Sequence, residues 1–213
     1  MTPPAATAAV RPRSRPRRRG VNWRRRLGLS LIAALLTVVG ILCLPLFRRA
    51  YNDLNLPLSY AGIIRQQAAE KHLDPALVAA VIYTETKFDS RPSVAGAEGL
   101  MQILPQTAEF LARRSGATTF RVSDLENPAV NITYGSYYLR YLLNEYGGNE
   151  VVALAAYNGG ETNVNRWLDA ARGAGKTFTV WRIPFPQTQA YVLKVMQAQR
   201  DYRKTYASQL GYQ

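Results

Sequence analysis

"VAAVIYTETKFDSRPSVAGAEGLMQILPQTA", residues 78–108, begins as an apolar helical run and then places Glu85 where another aliphatic residue would fit. Val78, Val81 and Ile82 precede Glu85 by seven, four and three positions, so they share one face of a helix with it. A carboxyl at the end of an apolar stripe is poorly solvated, and the partial negative charge of a helix C-terminus acts in the same direction. The pattern therefore predicts a raised pKa for Glu85.

A carboxyl that stays protonated near neutral pH suits the general acid of a glycosidic cleavage. The alternative is a partly exposed glutamate at a helix end, paired with Lys87 or with an arginine. The helix pattern by itself leaves both interpretations of Glu85 open.

The chain from residue 59 onward is predominantly helical in pattern, and proline and glycine mark where its helices begin and end. Asp74 and Pro75 predict the start of the helix that carries Glu85, after a first amphipathic segment over 59–71. Further helices are predicted in "LPQTAEFLARRSG", "NPAVNITYGSYYLRYLLNEYGG", "NEVVALAAYNGG", "ETNVNRWLDAAR" and "PQTQAYVLKVMQAQRDYRKTYASQL". One short segment, "TFTVWRI" at 177–183, is β-like in pattern. The prediction is a compact, mainly α domain over 59–210.

The N-terminal third differs in charge and hydropathy from this domain. Residues 1–26 contain nine arginines and no acidic residue, whereas residues 50–213 carry 16 basic and 14 acidic residues. The uncharged segment 27–47 has 21 residues, and at about 1.5 Å per residue a helix of this length spans a bilayer core of roughly 30 Å. The positive-inside rule then predicts a single-pass anchor, Leu27–Phe47, with a cytoplasmic N-terminus and an extracytoplasmic domain. Residues 48–58 are predicted to be a linker.

Two other interpretations of the N-terminal third are weaker. A cleaved signal peptide needs small residues at its cleavage site, whereas "LCLPLFRRA" offers large ones, and Leu42 before Cys43 is too large for a lipoprotein site. A nucleic-acid-binding arm is the alternative for "RPRSRPRRR", but its place directly before a membrane span favours contact with anionic lipid heads. We expect residues 1–20 to be disordered and no nucleic acid to be a partner.

The scarcity of cysteine and histidine excludes several kinds of site. Cys43 is the single cysteine, so an internal disulfide and a cysteine-based metal cage are both excluded. His72 is the single histidine and follows a predicted helix, where a surface position is favoured over a place in a catalytic triad. We therefore expect neither a bound metal nor a cofactor.

An ordered series of motifs follows Glu85. The first runs Glu85-Thr86, then Phe88, then "SVAGAEGLMQ" at 93–102, and ends in "PQTA" at 105–108. A later one reads "AAYNGG" at 155–160, and "YGSYYLRYLL" and "QTQAYVLKV" extend the series. In order and spacing these motifs resemble the lytic transglycosylase family, the soluble-transglycosylase (SLT) domain of the glycoside hydrolase family 23 type, over roughly residues 60–200.

The resemblance implies a lysozyme-like fold and non-hydrolytic cleavage of the MurNAc-(β1,4)-GlcNAc bond of peptidoglycan. Glu85 is then the single acid and base. It first protonates the glycosidic oxygen and later takes a proton from the sugar's 6-hydroxyl, which closes onto the anomeric carbon. The substrate's acetamido oxygen acts in place of a second carboxylate, and the product carries a 1,6-anhydromuramic end.

The resemblance also implies substrate-binding roles for Ser93, Gly96, Gly99, Met101, Gln102, Tyr157, Asn158, Gln187 and Tyr191. Ser93 is expected to bond the acetamido group or to orient Glu85, and the two glycines to let the backbone approach the sugar. Met101 and Gln102 are expected on one wall of the cleft and Tyr157 and Asn158 on the other, with Tyr191 near Glu85. Simpler roles stay open for four of them: a plain loop position for Ser93, core packing for Met101 and Tyr157, and a helix C-cap for Asn158.

Two positions depart from the family's pattern. Thr86 stands where serine is common and keeps a hydroxyl. Gln187 stands before Thr188 where glutamate is frequent, which keeps hydrogen bonding but removes a charge. We expect Gln187 to change substrate preference or pH dependence without abolishing the chemistry.

Two other functions remain candidates. A hydrolytic muramidase of the goose-type-lysozyme kind shares the fold and the acid but must position a water molecule. A non-catalytic glycan-binding scaffold of the cell wall keeps the cleft, but the presence of Glu85 argues against it. The expected partners are peptidoglycan strands and the membrane, and we expect a monomer.

Overall fold

The computed structural model describes residues 23, 28, 31–32, 34–44, 56–90, 93 and 96–212. The chain divides into two compact units, Met1–Arg48 and Arg49–Gln213. In the first unit, residues 34–44 are helical and exposed. Among the described residues, none of the helices combines the length and the apolar character that crossing a membrane requires. Of the predicted tail 1–26, only Trp23 is among the described residues. Parts of the predicted anchor 27–47 and of the predicted linker 48–58 also lie outside them.

The second unit is built from helices, which confirms the prediction of a mainly α domain. Within its described residues the α-helices are α1 Ala61–Glu70, α2 Pro75–Thr86, α3 Pro105–Ser115, α4 Pro128–Glu145, α5 Glu150–Gly159, α6 Glu161–Gly173, α7 Pro186–Thr205 and α8 Ala207–Leu210. Two short 3₁₀ helices, Val122–Glu126 and Val180–Arg182, lie between α3 and α4 and between α6 and α7.

The β-like segment 177–183 contains the second 3₁₀ helix and forms no strand. The three-residue period of a 3₁₀ helix places Val180 and Ile183 on the same side, where both pack against the core. Trp181 points the other way and is 72% exposed. A 3₁₀ turn, and not a strand, thus brings two apolar residues of this segment against the core.

Local caps set the helix ends where the sequence predicts them. The Asp74 side chain accepts a hydrogen bond of 3.0 Å from the Ala76 N–H at the start of α2, and Asn127 accepts one of 2.9 Å from Ala129 at the start of α4. Gly116 ends α3 with a φ of 75°. The predicted long C-terminal helix is instead divided, because Tyr206 leaves helical geometry between α7 and α8.

Helix α2 lies in the middle of the core. Residues 76–82 are all buried, and the helix packs mainly against α7, with α1 as its other large contact. The end of the predicted linker joins this core: Leu56 and Leu58 pack against it, and the Leu56 carbonyl accepts a hydrogen bond of 2.8 Å from the Tyr206 hydroxyl. A polar group on α2 is therefore surrounded mostly by apolar side chains.

Candidate active site

Glu85 lies in the last turn of α2, three positions after the end of the buried run 76–82, and is half-buried. The helix ends at Lys87, whose φ of 54° is left-handed. Burial raises the pKa of Glu85 to about 7, against the opposing influence of the Tyr191 hydroxyl and the positive charge of Lys194. The predicted raised pKa is confirmed, and the carboxyl can both hold and release a proton near neutral pH.

Helix α7 supplies the two groups that lower the pKa of Glu85. Tyr191 is 8% exposed, and burial together with the nearby Glu85 charge raises its pKa well above the ordinary value. Within the described part of the chain, the Tyr191 hydroxyl makes no hydrogen bond of ordinary length and angle, but it lies near enough to Glu85 to lower the pKa of that carboxyl. Lys194 follows one helical turn later, with its ammonium 5.7 Å from the centre of the Tyr83 ring. The packing of α7 on α2 thus places Tyr191 near Glu85, while its predicted role toward the substrate stays a prediction.

A tight turn over residues 98–103 forms the wall next to Glu85. Two backbone hydrogen bonds of 3.0 Å between Glu98 and Ile103 close it. The Thr86 hydroxyl donates a hydrogen bond of 2.9 Å to the Leu100 carbonyl, which attaches the turn to the end of α2. Gln102 has a φ of 49°, and its side-chain amide donates to the Gly99 carbonyl at 2.8 Å. The turn thereby places Gln102 beside Glu85 in the same opening.

A buried asparagine on α4 holds this turn from behind. The side-chain oxygen of Asn131 accepts a hydrogen bond of 2.8 Å from the Met101 N–H, and its amide donates to the carbonyls of Glu98 at 2.9 Å and Leu125 at 3.1 Å. Asn131 is 0% exposed, and its one side chain bonds three backbone groups, of which the Glu98 carbonyl also accepts from Ile103. Sequence reasoning missed Asn131; the available signal was a lone amide among the apolar positions of α4.

Two of the predicted binding residues, Gly99 and Met101, are buried behind the wall of the cleft. Gly99 is buried, and a Cβ there would lie 2.0 Å from the Asn131 amide nitrogen, so the glycine serves packing of the turn. Met101 is 0% exposed because its side chain packs on Gly135, where a Cβ would come within 2.3 Å of the Met101 sulfur. Gly96 is exposed, with a φ of 76° and open space around a built Cβ. The burial of Gly99 and Met101 corrects the predictions of close sugar approach at Gly99 and of a wall formed by the Met101 side chain, whereas the prediction for Gly96 stays a prediction.

The opposite wall comes from the end of α5. The Tyr157 hydroxyl donates a hydrogen bond of 2.8 Å to the Met101 carbonyl, so Met101 contributes its backbone to the site. Burial, with the negative charge of Glu85 as the next cause, raises the pKa of Tyr157 well above its ordinary value. The Asn158 side-chain oxygen accepts a hydrogen bond of 2.9 Å from the Thr188 hydroxyl on α7. The wall is thus tied to both the 98–103 turn and α7.

These elements enclose a cleft of about 430 Å³. The predicted residues that line it are Glu85, Ser93, Gln102, Tyr157, Asn158 and Gln187. Leu104, Thr107 and Tyr138 also line it and were missed, since helix patterns do not show which exposed residues face a common space. The Tyr138 ring lies 5.2 Å from the Tyr157 ring, and Leu104 is 42% exposed. Such aromatic and apolar surface suits the faces of sugar rings.

The cleft continues on both sides. An opening of about 270 Å³ shares Glu85 and Gln102 with it and adds Thr86 and Asp89. Another, of about 390 Å³, shares Asn158 and Gln187 with it and is bounded by Phe185. Glu85 therefore lines both the cleft and one of its adjoining openings, and we refer to the three openings together as the groove, an arrangement suited to a chain-like substrate.

The sequence and the fold both match known proteins. Residues 62–178 match the family described as Transglycosylase SLT domain. The soluble lytic murein transglycosylase of Salmonella typhimurium is 32% identical over 150 residues, which cover 69% of this chain and 23% of that protein. The membrane-bound lytic murein transglycosylase C of Mannheimia succiniciproducens is 33% identical over 169 residues, which cover 68% of this chain and 47% of that protein. The chain thus spans less than half the length of either relative.

Among solved structures, an inactive mutant of the lytic transglycosylase Slt from Pseudomonas aeruginosa matches with a TM-score of 0.67 and 29% identity, over 74% of this chain and 26% of that one. The fold predicted from the resemblance is thereby confirmed. The family match includes α2 with Glu85, the 98–103 turn and α5. On the agreement of sequence, fold and cleft, the chain belongs to the Transglycosylase SLT domain family.

Proposed function

We propose that the chain is a peptidoglycan lytic transglycosylase, which cleaves the MurNAc-(β1,4)-GlcNAc bond and leaves a 1,6-anhydro-MurNAc end. The observation that carries the proposal is Glu85, a half-buried carboxyl that lines the groove and has a pKa raised to about 7. The relatives named as lytic murein transglycosylases support this choice of substrate.

In the proposed first step, Glu85 gives its proton to the glycosidic oxygen while the bond from that oxygen to the anomeric carbon breaks. The acetamido oxygen of the same MurNAc attacks the anomeric carbon and forms a cyclic oxazolinium ion. In the second step the Glu85 carboxylate takes the proton of the 6-hydroxyl, whose oxygen attacks the anomeric carbon and releases the acetamido oxygen. Glu85 returns to its protonated form, and no water is consumed.

A pKa near 7 suits a group that must act as acid and then as base. The apolar surroundings of α2 favour the protonated form before the first step. Tyr191 and Lys194 favour the carboxylate formed between the two steps. Each step thus begins with Glu85 in a form that part of its environment stabilises.

The polar residues of the cleft are proposed to orient the sugar. The Ser93 hydroxyl accepts a hydrogen bond of 2.9 Å from the Ala97 N–H, and a hydroxyl that accepts one bond is still able to donate one. Ser93 is therefore suited to donate to the acetamido carbonyl or to Glu85. Gln102, Asn158 and Gln187 offer amides to the hydroxyls of the glycan.

The products of peptidoglycan digestion test the proposal. Wild type should give muropeptides with anhydro ends, lighter by one water than reducing ends, and Glu85→Gln should give none while keeping the fold. The matched control is Glu109→Gln on α3, which alters an exposed glutamate and should leave the products unchanged. Appreciable turnover by folded Glu85→Gln would refute the role of Glu85.

A hydrolytic muramidase is the second candidate, and Asp89 is the observation that favours it. This exposed carboxylate lines the smaller opening together with Glu85, where it could help to position a water molecule. Exclusively reducing ends in the wild-type digest, lost in Asp89→Asn, would establish hydrolysis. As a transglycosylase, the protein should keep anhydro products in Asp89→Asn.

We also propose that residues 27–47 anchor the domain in the membrane, with residues 1–26 on the cytoplasmic side near anionic lipid heads. The uncharged 21-residue segment and the nine arginines before it support this topology. The full chain should sediment with membranes and its domain should be accessible to protease from outside, whereas a chain without residues 1–47 should not sediment. A full chain found in the soluble fraction would contradict the anchor.

A further inference from the structure

A second concave surface adjoins the far end of the groove. It has a volume of about 220 Å³ and is lined by Trp167 and two alanines of α6, by Ala174 directly after that helix, and by Lys176, Arg182 and Pro184. Phe185 bounds the groove, and its ring packs edge-on against Trp167 with 5.0 Å between ring centres. Trp167 and Phe185 thus join this surface to the groove, and we refer to it as the α6 pocket.

The charges of the α6 pocket are unbalanced. Lys176 and Arg182 are both exposed, and within the described part of the chain neither forms a salt bridge. Their neighbour on α6, Arg172, differs because it pairs with Asp169 at 3.2 Å. The pocket therefore combines an apolar floor with two cations that lack a protein counter-charge.

Two exposed aromatic side chains adjoin the pocket. Trp181 beside Arg182 is 72% exposed and Phe185 is 45% exposed. Exposed aromatic side chains next to unpaired cations are typical of surfaces that bind a ligand with both apolar and anionic groups.

We propose that the α6 pocket binds the carboxylate-bearing peptide attached to the glycan strand. This inference rests on the proposed function, because peptidoglycan is the substrate that supplies such a peptide. The sugars in the groove offer hydroxyl and acetamido groups, whereas the peptides on muramic acid are short, rich in alanine and end in carboxylates. Lys176 and Arg182 match those carboxylates, and the alanines and Trp167 match the methyl side chains.

The position of the pocket supports this choice of ligand. A strand that lies along the groove past Gln187 and Phe185 carries its next peptide toward the α6 pocket, since Pro184 and Phe185 are consecutive in the chain. The pocket would then add affinity for strands that keep their peptides and none for naked strands. It would act as a specificity site outside the catalytic machinery.

Binding measurements on the full chain test the inference. Glu85→Gln serves as a non-cleaving background, and its binding is measured on peptidoglycan and on the same strands after an amidase has removed the peptides. Adding Lys176→Gln with Arg182→Gln should weaken binding to peptide-bearing strands roughly five- to tenfold and leave binding to naked strands unchanged. The matched control, Arg200→Gln with Lys204→Gln, removes the same charge from exposed positions of α7 and should alter neither.

Three other outcomes would contradict binding of the peptide by the α6 pocket. If the double variant loses equal affinity for both kinds of strand, or loses none for either, the pocket does not bind the peptide. A loss seen only with vesicles of anionic lipid would assign the surface to the membrane instead. Failure of the proposed function is recognised separately, by the absence of anhydro ends from wild-type digests.

Discussion

The Asn131 side chain accepts a hydrogen bond of 2.8 Å from the backbone N–H of Met101, and the Met101 carbonyl accepts one of 2.8 Å from Tyr157. One buried amide on α4 is thereby connected, through a single residue, to both walls of the cleft. Asn131 touches no part of the cleft itself. The spacing of the walls around Glu85 nevertheless depends on it.

Asn131→Ala should therefore damage both stability and activity. The change removes the Asn131 partner of the Met101 N–H and of the Leu125 carbonyl, while the Glu98 carbonyl keeps its bond from Ile103; we expect this to cost about 2–4 kcal/mol of unfolding free energy. Denaturant unfolding measures the stability, and the release of anhydro ends measures the activity. Asn144→Ala, at an exposed position of the same helix, should change neither. An Asn131→Ala protein with unchanged stability would show that the three hydrogen bonds contribute little.

The pH dependence of the reaction should report Glu85. Because the free enzyme needs a protonated donor, kcat/KM should fall as the pH rises through about 7, the value to which burial raises the pKa of Glu85. The positive charge of Lys194 lowers this pKa, so Lys194→Met should move the fall to higher pH and Lys194→Arg should not. Profiles recorded at constant ionic strength separate the two variants. Identical profiles would mean that Lys194 does not act on Glu85.

Glu85→Gln should make the protein more stable in alkaline solution. The folded-state pKa of about 7 exceeds the ordinary glutamate value of 4.5, so the folded state binds more protons between these values and loses stability as the pH rises. Replacing the carboxyl should recover about 1–3 kcal/mol at pH near 8 and little at pH near 5. Each kcal/mol raises Tm by roughly 2–4 °C in a protein of this size. A Tm gain that is the same at both pH values would argue against a protonated Glu85.

Tyr191→Phe should slow the reaction without unfolding the protein. The ring stays buried, but the hydroxyl that favours the Glu85 carboxylate is removed. We expect kcat to fall by roughly one to two orders of magnitude, the typical contribution of a group that stabilises a reacting charge, with KM little changed. Tyr146→Phe, which also removes a hydrogen-bonding hydroxyl, is the control. A fall in both variants would point to stability as the cause.

The parts of the molecule that the sequence predicts are those set by local chemistry. Asp74, Asn127 and Gly116 act within one turn of the helix ends that they define, so a short window of sequence contains the whole cause. The raised pKa of Glu85 is similar in origin, because the apolar residues of its own helix that shield it from water lie three, four and seven positions earlier.

The parts that it does not predict depend on contacts between distant residues. The motif gives no sign that the 98–103 turn directs Met101 into the core, because the reason lies in Asn131 and Gly135 on α4. Lys194 resembles any exposed lysine of a long helix, and only the packing of α7 on α2 brings its charge near Glu85. Spacing along one helix cannot reveal which residue of another helix it meets.

The central position of α2 has a consequence for protein engineering. Burial raises the proton affinity of Glu85 on α2, and Tyr191 and Lys194 of α7, about a hundred positions later in the chain, lower it. A graft of residues 78–108 into another scaffold would transfer the motif but not the surroundings of Glu85 that other helices supply. The smallest portable unit is the α2–α7 pair with α4 and the turn. A designer who wants this acid must transplant its surroundings first.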